Sequence, residues 1–160
     1  MKKRTASALL VAVALCVVSA AALAKNPSTA GAGRGTLPSG AAFNGVSLSA
    51  LRFGMGVAIA ADGTASGDFG STLLGSSGGQ ARSIVVDGRA ARGSVPSPGR
   101  ATFSGLCTID MGDGTPPLSG VAFTVTTVAG VNGGWTLALS LGSTSLPTAT
   151  GTEGRIVIEK

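Results

Sequence analysis

From position 51 the chain alternates apolar with small or polar residues at a period of two. Leu51, Phe53, Met55, Val57 and Ile59 share one face, and Arg52, Gly54, Gly56, Ala58 and Ala60 share the other. Successive side chains of a strand point to opposite sides, so this segment predicts a strand with one buried and one open face. Ala61-Asp62-Gly63-Thr64 predicts a tight hairpin, because Asp-Gly suits the positive φ that such turns demand. A second strand is expected over 65–74, with Phe69 as its main core residue. A loop over 75–80 (GSSGGQ) then leads to a short strand over 83–87 that ends at an Asp87-Gly88 turn. Another short strand, 89–95, stops before Pro96-Ser97-Pro98-Gly99, since proline is poorly tolerated inside a sheet.

The alternation resumes with Ala101, Phe103, Gly105, Cys107, Ile109 and Met111 on one face. After a turn over 112–117, Val121, Phe123, Val125 and Thr127 share a face of the next strand. Asn132-Gly133-Gly134 turns the chain into Trp135, Leu137, Leu139 and Leu141. A loop over 142–151 precedes a last strand at 155–159, with Ile156 and Ile158 inward. No helical period of 3.6 residues persists anywhere beyond the first 24 positions. Short turns between strands enforce antiparallel pairing. The expectation is therefore an all-β domain, an antiparallel β-barrel or two-layer β-sandwich of about eight strands.

The opening of the chain follows a different logic. Lys2, Lys3 and Arg4 precede an apolar run over 8–18, and Ala22-Leu23-Ala24 supplies small residues at −3 and −1 of a cleavage site. This is the pattern of an export signal, with a mature start at Lys25. The apolar run falls short of the roughly 20 residues that span a bilayer. The expected organisation is a signal peptide at 1–24, a flexible Gly/Pro/Ser-rich leader at 25–42, and a single β domain at 43–160. Export places the protein in the periplasm or outside the cell, with no transmembrane span in the mature chain.

Export also changes the charge. Three of the twelve Lys and Arg lie in the signal, which leaves nine against seven acidic residues. That balance is too weak for the counterion release on which nucleic-acid binding depends. Cys16 lies in the signal after the bulky Leu15, a poor lipoprotein site, so Cys107 is the one mature thiol and no intrachain disulfide can form. On the apolar face of its strand, Cys107 is expected to be a small buried hydrophobe.

The chemistry available is narrow. The chain has no histidine and no tyrosine, and its lysines beyond the signal are Lys25 and Lys160. Imidazole-assisted nucleophiles, imidazole metal sites and an interior lysine base are excluded. What remains is carboxylates. Asp62 and Asp87 precede glycines and read as turn residues; Asp110 and Asp113 flank Met111-Gly112 without the ligand spacing of a calcium loop. A glycosidase would need two such acids across a cleft. No catalytic residue, metal site or cofactor is expected. Arg82, Arg89, Arg92 and Arg100 cluster in sequence, and guanidinium groups suit anionic ligands. Arg89 and Arg92 are the candidate ligand contacts, with Trp135 as a surface for stacking a sugar ring, although a Trp in phase with Leu137 and Leu139 equally fits a core.

The apolar strand from Phe53 to Ile59, Asp62-Gly63, Ser66-Gly67-Asp68-Phe69, and Phe103-Ser104-Gly105-Leu106-Cys107 resemble uncharacterised secreted bacterial all-β proteins. The resemblance covers about half of the mature chain and implies an exported all-β domain, without carrying over any site residue. The function expected is a non-catalytic binding or structural module, its partner an anionic glycan or another cell-envelope component. A barrel carrying a small apolar ligand, lined by Met55, Phe103, Phe123 and Trp135, and a carboxylate-based glycan hydrolase are the alternatives.

Overall fold

Alternation at a period of two is realised almost without interruption in the computed structural model, which describes residues 26–160. The expected export segment lies outside the described residues. The strands are β1 (Ser28–Thr36), β2 (Ala42–Phe43), β3 (Val46–Ile59), β4 (Ala65–Ser77), β5 (Gln80–Ser97), β6 (Arg100–Asp110), β7 (Leu118–Ala129), β8 (Trp135–Leu141), β9 (Thr144–Ser145) and β10 (Ala149–Glu159). Strands β3 to β8 form an antiparallel meander, each paired with the next. Strand β8 then pairs β10, β10 pairs β1, and β1 pairs β3, so the sheet closes on itself as a barrel. Closure removes the free edges of an open sheet. The short β2 and β9 are outriggers on β3 and β8. No helix among the described residues is long and apolar enough to cross a membrane.

The interior carries the apolar faces anticipated from the alternation. Phe53, Val57, Phe103, Cys107, Phe123, Leu137 and Ile156 belong to one buried cluster. At its centre Phe69, Phe103 and Phe123 form a three-ring contact, with centroids 5.7 to 6.3 Å apart. Two hydroxyls, Thr29 Oγ1 and Thr127 Oγ1, are buried there without a hydrogen-bond partner.

Three expectations are corrected. The stretch 25–42 is not a leader: Ser28–Thr36 is the strand that closes the ring, paired on both sides. Its inward positions are Thr29, Gly31, Gly33 and Gly35, which offer no bulk for a hydrophobic pattern to reveal. They are small because large side chains lie over them. A Cβ on Gly33 would sit 3.0 Å from Trp135 and 3.2 Å from Phe53, and one on Gly35 2.8 Å from Trp135. Second, Asp87-Gly88 is not a turn. Gly88 lies mid-strand in β5, and a Cβ there would come within 2.7 Å of the Phe123 ring. Glycine at this point makes room for an aromatic rather than bending the chain. Third, the final loop is shorter than expected, because β10 begins at Ala149. The Asp62-Gly63 hairpin holds, with Gly63 at φ +80°.

The ring has one thin seam. Strands β8 and β10 share only the pairs Ala149↔Leu137 and Thr150↔Thr136. Trp135 reinforces that seam from inside. Its Nε1–H donates to the Glu153 carbonyl at 3.2 Å, its ring contacts Phe53 edge-on at 4.8 Å, and it fills the space over Gly35 and Gly151.

Candidate functional site

Strand phase dictates which polar groups reach solvent. The bulge between Ala90 and Arg92 keeps both Arg89 and Arg92 on the outer wall. Arg89 faces Asp68 across β4 and β5, with Nε 3.5 Å from the carboxylate and both side chains well exposed. An exposed pair of this kind contributes at most about 1 kcal/mol. Around it, Asp87, Leu106 and Thr108 wall a groove of about 790 Å³ floored by Gly70 and Gly88. Leu106 stands 61% exposed at its rim. Arg92 opens onto a different concavity of about 260 Å³, beside Gly63, Ser94, Thr102 and Ser104. The two arginines expected to act together thus serve separate depressions.

Trp135, the third expected contact, is only 4% exposed. Its rings pack against Phe53 and interior glycines, so no face remains for a sugar to stack on. The stacking reading is corrected to the core reading.

Three of the carboxylates, Asp62, Asp110 and Asp113, are occupied within their own turns. Asp62 Oδ1 accepts from the Thr64 backbone at 2.9 Å and its hydroxyl at 2.7 Å. Asp113 Oδ1 accepts from Thr115 in the same way, at 2.9 and 2.6 Å. The threonine hydroxyl, then the backbone N–H, holds each of these two carboxyls below its ordinary pKa. Asp110 Oδ1 accepts from the Gly112 N–H at 2.8 Å. Arg82 donates to the Gly112 carbonyl at 3.2 Å, fastening the same loop. These are turn-forming contacts. Among the described residues no group of three His, Cys, Asp or Glu could hold a metal ion.

The structure assembles a basic group that the sequence reading passed over. Arg34 on β1 stands directly opposite Arg52 on β3, and Arg155 on β10 stands opposite Ala32, one outward position along from Arg34. The depression beside Arg34 and Arg52, about 390 Å³, is lined by these two together with Ala32, Gly33, Glu153 and Gly154, and Arg155 lies outside that lining. The available signal was the alternation Ala30, Ala32, Arg34 against Gly31, Gly33, Gly35, a strand pattern written in small residues. Comparison with protein-family models, curated proteins and solved structures finds no match to this chain.

Proposed function

We propose that this protein is an exported, non-catalytic β-barrel that binds a ligand on its outer wall. The observation that carries the reading is the filled interior. Aromatic and aliphatic side chains occupy the axis, and glycines at 33, 35, 88 and 151 lie against the rings of Trp135 or Phe123. An eight-stranded barrel either fills with side chains or encloses one small ligand. This packing favours the first case and weighs against an apolar-ligand carrier. Asp110 and Asp113 are bound into turns, which weighs against their serving as the two acids that a hydrolase holds across a cleft. Apart from Leu74, the outward positions of β3 and β4 are Arg, Gly, Ala, Ser, Asp and Thr, the reverse of the apolar-outward wall of a membrane barrel.

Export, with a mature N-terminus at Lys25 and residence in the periplasm or outside the cell, is part of the proposal. The partner class is an anionic glycan or another envelope component. The test incubates purified mature protein with neutral and anionic oligosaccharides and follows binding and product release together. Saturable, salt-sensitive binding without product is expected. Hydrolysis abolished by Asp110→Asn or Asp113→Asn would overturn the reading.

A further inference from the structure

We infer that Arg34 and Arg52 form a binding site for a phosphate monoester carried on a sugar, an inference that rests on reading the outer wall as the binding surface. Like charges directly opposite each other on neighbouring antiparallel strands repel, with Cβ atoms about 4.5–5.5 Å apart. Arg34 and Arg52 stand in that relation. Among the described residues, no side chain closes an ion pair or hydrogen bond with the guanidinium of Arg34, Arg52 or Arg155. Glu153 opposes Arg34 from the other side and lines the same depression, whose walls thus carry two cations and one carboxylate, a net charge of +1, with Arg155 one outward position further along β10.

A phosphate monoester answers the two facing guanidinium groups. It carries close to two negative charges at neutral pH and three acceptor oxygens. Guanidinium groups bind phosphate through paired N–H donors, and two forks can grip one such group from both sides. A carboxylate or a sulfate ester brings one charge and leaves the repulsion half-compensated. The floor fits an attached sugar. Ala32 is opposite Gly54, beside Arg52 on the same face, and a Cβ built on Gly54 meets nothing within 4 Å. The backbone there is open to a flat, hydroxylated ligand.

The experiment titrates the protein at low ionic strength with glucose 6-phosphate, inorganic phosphate, glucose and glucose 6-sulfate, read by calorimetry and by thermal midpoint. Glucose 6-phosphate is expected to bind most tightly and glucose not at all. Arg52→Gln and Arg34→Gln should each weaken it at least tenfold. Gly54→Ile, which fills the floor, should weaken the sugar phosphate while sparing inorganic phosphate, which separates a phosphorylated glycan from the free ion as the source. Removal of the repulsion gives a second readout. Arg52→Gln should raise the thermal midpoint in anion-free buffer, and added phosphate should raise it in the wild type but not in the variant. Equal binding of glucose 6-sulfate and glucose 6-phosphate, or affinities untouched by Arg52→Gln, would overturn the site. If an anionic glycan still binds the Arg52→Gln protein, the site fails but the binding-module reading stands. Turnover of a bound glycan would sink that reading instead.

Discussion

If Trp135 locks the thin β8–β10 seam by filling the space over β10, then Gly151 and Trp135 must be energetically coupled. Gly151 faces Gly35 across the β1–β10 ladder, and the nearest atoms to a Cβ built on it all belong to the Trp135 indole. Gly151→Ala therefore drives a methyl group into the indole and is expected to cost about 1–3 kcal/mol. Trp135→Leu removes most of the indole and the hydrogen bond to the Glu153 carbonyl. Its cost is expected at about 3–5 kcal/mol, the range for deleting a large buried aromatic. In the double variant the methyl added at position 151 enters space the indole has vacated. The combined loss should then fall short of the sum by about 1–2 kcal/mol, within the range for residues in direct contact. The assay is urea unfolding of all four proteins followed by far-ultraviolet circular dichroism, since Trp135 is the chain's one tryptophan and its fluorescence is lost in two of them. Additivity within about 0.5 kcal/mol would refute the claim that the indole occupies this space.

Three further outcomes follow from the interior. Phe103→Ala or Phe123→Ala breaks the three-ring contact and should each destabilise by about 3–5 kcal/mol in chemical denaturation; a near-neutral result would mean the strand phase is wrong. Thr127→Val replaces a buried hydroxyl that lacks a partner with a methyl of similar size, so stability should rise by about 1 kcal/mol, and a loss would show that the hydroxyl is bonded in solution. Cys107, 4% exposed, should react with a thiol reagent only after denaturant is added. Burial raises its pKa, so its contribution to stability is present below the ordinary thiol value and lost as pH rises through the raised one; Cys107→Ser should flatten that alkaline decline, and an unchanged slope would refute it.

The strands legible from the sequence were those whose inward faces carry bulk. β3 and β8 present large apolar residues at nearly every inward position, β6 places Phe103, Cys107 and Ile109 there, and their phase and buried residues follow from that alone. β1 was illegible because its inward row is Thr and Gly, and its buried surface belongs to Trp135 and Phe53 reaching over from neighbouring strands. Gly88 misled for a related reason. A glycine after aspartate signals a turn when only local chemistry is considered, yet here the demand comes from Phe123 on a strand two positions away around the ring. The same gap explains the arginines. Arg89 and Arg92 stood out by closeness in sequence, whereas Arg34, Arg52 and Arg155 are brought together only by ring closure.

Fold and candidate site are therefore one event. Arg34 has no neighbour of interest until β1 slots between β3 and β10, and that insertion sets it opposite Arg52 and Glu153 at once. Closure works against charge repulsion at Arg34–Arg52 and is favoured by the indole lying over Gly33 and Gly35 a single residue away. An anion held between the two guanidinium groups would relieve the repulsion where β1 meets β3, so ligand binding and barrel closure should reinforce each other. Weakening the seam by Trp135→Leu should then lower phosphate affinity although Trp135 touches no ligand. If Trp135→Leu leaves the phosphate affinity of the folded protein unchanged, closure and binding are independent.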